Sequence, residues 1–221
     1  MKRSTATLIG VLFGVLVTAC GQGDPVFPDD GAAAECGDWY PGASADAGVV
    51  YDIEVGATFP CLVWESARVN HQDTYFNAGE LYLEAKHGVT SATAMVVVLI
   101  GVSCAGCQEL VGALAEHEVE LSGAAFMVGA VRDDWVSETT LDHAEEVLVD
   151  QDGWPLGWMV TNDAEGHLSA DEFDGVPWVF VIRLSDMEVV AGGTGVYSAE
   201  NIDDLVAFVE NLGTGADQEE P

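Results

Sequence analysis

Two cysteines, Cys104 and Cys107, enclose an Ala-Gly dipeptide and offer thiol chemistry. The run 95–102 before them is apolar, uncharged and rich in β-branched residues, which predicts a strand buried on both faces. After them, residues 108–115 have helical spacing. A cysteine at a helix N-terminus is favoured as thiolate, and a second one about a turn later is close enough for a disulfide. The context favours redox chemistry, with a structural disulfide or a metal half-site as alternatives.

The first residues indicate where this chemistry takes place. Lys2 and Arg3 precede the apolar stretch 8–17, and Val-Thr-Ala leads into Cys20. This order is typical of a secretory signal peptide, and the stretch is too short for a comfortable transmembrane helix. The cysteine after Val-Thr-Ala resembles a bacterial lipobox, which predicts a signal peptide over 1–19 and lipidation of Cys20. An ordinary signal peptide with an unmodified cysteine is the alternative.

Cys36 and Cys61 are the remaining thiols. Outside the cytoplasm disulfides form and persist, so we predict that these two form a structural disulfide that pins the N-terminal segment to the first strands. A second redox centre is the alternative.

The charge of the chain limits its partners. The 221 residues include 6 Lys and Arg against 38 Asp and Glu, for a formal net charge of −32. Repulsion from phosphates excludes nucleic acid as a partner. An anionic membrane surface would also repel the chain, so we expect a lipid anchor to be its only link to a membrane. Adaptation to high salt is one explanation for so many acids.

Composition and periodicity predict one α/β domain. Residues 20–47 are rich in Gly, Ala, Asp and Pro, which predicts a flexible tether; the domain then spans 48–213, and 214–221 is a disordered acidic tail. Apolar patterns predict strands at 125–131, 156–160, 178–184 and 188–191, and helices at 139–149 and 199–212. The last two strands are expected to form a hairpin, and Ser198 to cap the last helix.

These features resemble the thioredoxin superfamily, and within it the membrane-tethered thiol–disulfide oxidoreductases of the TlpA and redoxin type. The resemblance rests on the cysteine pair after a buried strand and on segments 153–163 and 175–182. It implies a thioredoxin-like mixed β-sheet flanked by helices. It also implies that Pro177 is a cis-proline beside the cysteine pair, and that Val176 offers backbone groups to an extended substrate.

The same resemblance implies an activity. Cys104 would attack a client disulfide and Cys107 would resolve the mixed disulfide, with no cofactor. The partners would be client proteins with disulfides or thiols and a redox partner, and the place would be the bacterial cell envelope, with the lipid-anchored chain facing the periplasm or exterior. The alternative function is a non-catalytic lipoprotein with the same fold that holds Cys104–Cys107 as a plain disulfide.

One segment suggests a cation. Residues 161–173 are similar to an EF-hand loop, but Thr161 occupies the first position, where Asp is normal. The five histidines are dispersed, without metal-ligand spacing. We therefore predict no metal site.

Overall fold

The computed structural model describes residues 39–41, 53–132, 140–163, 168 and 176–214. A mixed sheet of seven strands has the order β2-β1-β5-β4-β3-β6-β7. The strands are β1 Val63–Val69, β2 Gln72–Asn77, β3 Ala94–Gly101, β4 Ala125–Arg132, β5 Met159–Asn162, β6 Trp178–Arg183 and β7 Glu188–Thr194. Strand β3 pairs in parallel with β4 and antiparallel with β6. The expected β6–β7 hairpin is confirmed.

Five α-helices cover the two faces of the sheet in the part of the chain just listed. They are α1 Ala78–Lys86, α2 Ala105–Glu116, α3 Glu118–Ala124, α4 Leu141–Glu145 and α5 Ile202–Thr214. A π-helical turn, Glu146–Gln151, continues α4, and a 3-10 turn, Ala199–Asn201, precedes α5. The backbone N–H and the hydroxyl of Ser198 both donate to the side-chain oxygen of Asn201, which organises the start of this last helical unit.

Strand β3 explains the apolar run of the sequence. Its alternate residues belong to two separate cores. Val96, Val98 and Ile100 pack with residues of α2 and α5, whereas Val97 and Leu99 pack with α1 and the segment before β1. Because both faces of β3 are fully buried, its outgoing end is held firmly where α2 begins.

The β1–β2 hairpin and α1 were not anticipated. In β1 the pairing register shifts between Trp64 and Ala67, so a bulge interrupts the two-residue alternation by which a strand is recognised. Asn77 ends β2 and caps α1, where its side-chain oxygen accepts from the N–H groups of Gly79 and Glu80.

Two residues inside the range predicted as tether are packed on the domain. Tyr40 is buried, and its hydroxyl donates to the carbonyl of Phe59 at 2.8 Å. The ring of Trp39 stacks on that of Tyr82 in α1, with the centroids 6.5 Å apart. Trp39 and Tyr40 are therefore packed against the domain, although they fall in the range predicted as tether.

No helix within the described ranges is long and apolar enough to cross a membrane. The predicted signal peptide and the acidic tail from residue 215 onward lie outside those ranges, whereas residue 214 is the last of α5.

Candidate active site

Cys104 is the N-cap of α2. Its backbone is extended, and its carbonyl accepts from the N–H groups of Cys107 and Gln108 at 3.0 and 3.2 Å. Its sulfur accepts from the Cys107 N–H at 3.1 Å. Because this N–H lies in the first turn of α2, it is shared between the carbonyl oxygen and the sulfur of Cys104, where it can stabilise negative charge on the sulfur. The predicted position of Cys104 at a helix start is confirmed.

Cys107 lies one turn into α2 and is fully buried. It packs in the core beside Leu110 and Val111 of the same helix. The two cysteines form a disulfide with their Cα atoms 5.1 Å apart. Cys104 is half-buried, so a partner molecule can reach the first sulfur but not the second.

The loop before β6 supplies the other wall of the site. The Val176–Pro177 peptide bond is cis, as the resemblance implied. The Val176 carbonyl oxygen lies 3.6 Å from the Cys104 sulfur. A Cβ at Gly106 would lie 3.9 Å from Pro177 Cδ, so the proline also borders the first turn of α2. The structure thus brings Cys104, Val176 and Pro177 together.

Gly101 makes this approach of the two segments possible. It ends β3, and a Cβ on it would lie 2.9 Å from Val176 Cγ2, closer than side-chain carbons approach one another. Glycine is therefore the residue that lets the loop lie against the end of β3. Between Gly101 and the helix, Ser103 has a φ of +84°, which non-glycine residues rarely adopt.

Asp152 is a buried carboxylic acid that the sequence did not reveal. It follows the π-helical turn, and one of its oxygens has no hydrogen-bond partner within the described parts of the chain. Burial raises the pKa of Asp152, partly offset by a hydrogen bond from the side chain of Gln108. Gln108 directly follows Cys107, so this acid contacts the first turn of α2. Asp150, two positions earlier, is exposed, and nothing in the sequence distinguishes the two acids. Only the tertiary packing identifies Asp152 as the buried one.

The other predicted site residues have separate outcomes. Cys61 is buried and disulfide-bonded, whereas Cys36 and Cys20 lie outside the described residues, so the Cys36–Cys61 pairing and the lipidation of Cys20 stay predictions. Thr161 belongs to β5, and its hydroxyl donates to the carbonyl of Ser66. Most of the remaining EF-hand-like positions lie outside the described residues. Among the residues that the structure does describe, no cluster of side chains could hold a metal ion.

Solved structures show the same fold. The chain aligns with the solution structure of a thiol:disulfide interchange protein from Bacteroides sp. at a TM-score of 0.51 and 12% identity, covering 75% of this chain and 94% of that chain. It aligns with the mitochondrial 2-Cys peroxiredoxin from Plasmodium falciparum at a TM-score of 0.55 and 7% identity, covering 76% of this chain and 100% of that chain. With the reduced 2-Cys peroxiredoxin of Plasmodium vivax the TM-score is 0.52 and the identity 11%, and the alignment covers 72% of this chain and 96% of that chain.

No family model and no curated protein matches the sequence. At such low identities the structural likeness establishes the architecture alone. The chain has a thioredoxin-like α/β fold, with a mixed sheet flanked by helices.

Proposed function

We propose that this chain is a thiol–disulfide oxidoreductase that acts on client proteins through Cys104 and Cys107. The observation that supports it most is the asymmetry of the pair. Cys104 is reachable at a helix start and receives an N–H bond on its sulfur, whereas Cys107 is sealed in the core one turn later. A purely structural disulfide would need neither an accessible Cys104 sulfur nor the position of Cys104 at the helix N-cap.

The reaction follows from this asymmetry. In the reduced protein the Cys104 thiolate attacks one sulfur of a client disulfide, forms a mixed disulfide and expels the other client sulfur as a thiolate. Cys107, deprotonated, then attacks the Cys104 sulfur and releases the second client thiolate. Two electrons pass from the protein to the client. The protons of Cys104 and Cys107 are lost as thiolates form, and the two client thiolates take up protons to become thiols.

Three backbone and side-chain groups assist these steps. The Cys107 N–H stabilises the attacking thiolate of Cys104. The Val176 carbonyl is adjacent to the reacting sulfur, where it offers a hydrogen-bond acceptor to the N–H of an extended client segment. Asp152 contacts the side chain of Gln108, the residue after Cys107, and burial raises its pKa, so we propose it as the group that exchanges the proton of Cys107.

Trapping of mixed disulfides tests the proposal. Cys107→Ala leaves the attacking thiol without its resolving partner, so it should accumulate covalent adducts with a disulfide-bonded model protein. Cys104→Ala should accumulate none, because Cys107 is buried. Non-reducing gels show whether each variant has formed adducts. Equal and negligible trapping by the two variants would support the non-catalytic alternative.

We further propose that the domain is anchored to a bacterial cell envelope through a lipid on Cys20, facing the periplasm or exterior. The basic start, the short apolar stretch and the lipobox-like residues support this. Cys20→Ser should move the protein from the membrane fraction to the soluble fraction of the envelope, and an unchanged distribution would contradict the anchor.

A further inference from the structure

Lysine and arginine are missing from the part of the chain that carries the redox pair. No lysine or arginine occurs between Lys86 and Arg132, the stretch that contains Cys104 and Cys107. None occurs after Arg183 either. The positive charge that would balance 38 carboxylates is therefore confined to a few positions in the domain.

Those few cations are already engaged. Arg68 forms ion pairs with three carboxylates, and Arg183 with two. Lys86 lies over the ring of Tyr82, 5.2 Å from its centroid, on the face of the sheet away from α2. Arg132 donates to a backbone carbonyl. Each of the four is therefore engaged, and none of them lies on α2, the helix that begins at Cys104.

The helical layer on the side of Cys104 carries exposed acids. The 3-10 turn before α5 packs against α2, and α5 itself lies beside α2 and α3. Exposed carboxylates of α2, of this turn and of the start of α5 are Glu109, Glu116, Glu200, Asp203 and Asp204. Of these, Glu109 lies in the helix close to Cys104, whereas Glu116 and Asp203 lie at the other end of α2, where Asp203 contacts His117. A molecule that approaches the Cys104 sulfur therefore meets the field of Glu109 together with that of the net charge of the whole chain.

We propose that the clients of this site are proteins with cationic residues flanking their disulfide. This inference rests on the proposed redox function and adds the client class to it. A field of one sign raises the local concentration and encounter rate of oppositely charged molecules by about 10–10³-fold at low ionic strength, and it repels acidic ones. The thiol exchange itself is unchanged: the protein dithiol becomes a disulfide while the client disulfide becomes a dithiol.

Matched peptides test the client class. Two peptides share one intramolecular disulfide and differ only in flanking residues, Lys in one and Glu in the other. The second-order rate of their reduction by the reduced protein is measured from about 10 mM to about 1 M ionic strength, over which the Debye length falls from about 30 Å to about 3 Å. We expect the Lys peptide to react at least about 10-fold faster at the low end, with the ratio approaching 1 at the high end.

Charge-reversal variants locate the effect. Glu109→Lys, in α2, should lower the Lys-to-Glu rate ratio several-fold. Glu65→Lys changes the net charge equally but lies on β1, three strands from β3, and should lower the ratio less. Equal effects of the two variants would contradict a field focused on the cysteine pair.

The outcomes separate the two proposals. Reduction of both peptides at the same rate at low ionic strength would overturn the client class and leave the redox function standing. Failure to reduce either peptide would overturn the redox function itself. Circular dichroism at each ionic strength follows folding. A chain that folds only near 1 M salt would also overturn the client class, because screening would then remove the selection.

Discussion

The Cys104 sulfur lies 3.6 Å from the Val176 carbonyl oxygen, although 72 positions separate the two residues. The strand register explains the contact. Strands β3 and β6 run antiparallel, with Leu99 paired to Trp178, so the end of β3 and the loop before β6 arrive at the same edge of the sheet. The helix start and the loop that face each other across the site are therefore both fixed by the central strands.

Cys104 should be the reactive thiol of the reduced protein. We expect alkylation to modify Cys104 before Cys107, with an apparent pKa for Cys104 below the value of about 8.5 for free cysteine, because its sulfur accepts the Cys107 N–H at the start of a helix. The measurement is the rate of iodoacetamide labelling against pH, with each site followed by mass spectrometry. Cys107→Ser serves as the control in which Cys104 titrates without its partner thiol. Faster labelling of Cys107 would reverse the assigned roles.

Gly101→Ala should disturb the site from outside the cysteine pair. The added methyl group would lie 2.9 Å from Val176 Cγ2, so the loop must move away from Cys104. We expect a loss of about 1–3 kcal/mol in the free energy of unfolding and a lower rate of client reduction. Denaturant unfolding and the peptide reduction assay measure the two effects.

Gly112→Ala is the matched control for this change. Gly112 lies in α2, and a Cβ there meets nothing within 4 Å. Alanine should therefore stabilise the helix by about 0.5–1 kcal/mol and leave the rate unchanged. An equal loss of rate in both variants would show that Gly101 has no special relation to Val176.

Asp152→Asn should change the pH dependence of stability. Because burial raises the pKa of Asp152 above its unfolded value, the folded state retains this proton over a range in which the unfolded state has lost it. Stability then falls as pH rises from the unfolded pKa through the folded one, and the cost is complete above that range. The asparagine cannot ionise, so the variant should gain stability relative to wild type on going from about pH 3 to about pH 7.

The measurement is urea unfolding of both proteins at each pH, with Asp150→Asn as the control. Asp150 is exposed two positions away, so its replacement controls for the removal of a carboxylate that is not buried. A difference between wild type and Asp152→Asn that is constant with pH would show that Asp152 titrates at the same pH in both states.

Tyr40→Phe should weaken the attachment of the N-terminal segment. The buried Tyr40 hydroxyl donates to Phe59, and burial raises the pKa of this tyrosine. Its removal leaves a buried carbonyl without this donor, so we expect a loss of about 1 kcal/mol in the free energy of unfolding. Tyr75→Phe is the control: the exposed Tyr75 hydroxyl donates to Glu80 at the surface, so its removal should cost less than about 0.5 kcal/mol. Thermal or denaturant unfolding measures both, and equal losses would contradict the packed segment.

The sequence by itself determined the part of the site that is local in the chain. The continuous apolar run predicted a strand buried on both faces, and both faces of β3 are buried. The helical spacing after the cysteines predicted Cys104 at the start of a helix, which is α2. The β6–β7 hairpin was predictable for the same reason, because two apolar strands flank a short turn. The proximity of Pro177 to Cys104 followed only from the family resemblance, since no local pattern relates residues so far apart.

Tertiary structure alone decided the rest. A bulge hides the alternation of β1, and the rings of Trp39 and Tyr40 pack only because Tyr82 of α1 lies opposite them. Asp152 looks in the sequence like one more surface acid. Its burial beside Gln108 depends on how the π-helical turn meets α2. Such contacts join segments that are distant in the chain, and the energy of burying them is set by partners that no short stretch of sequence contains.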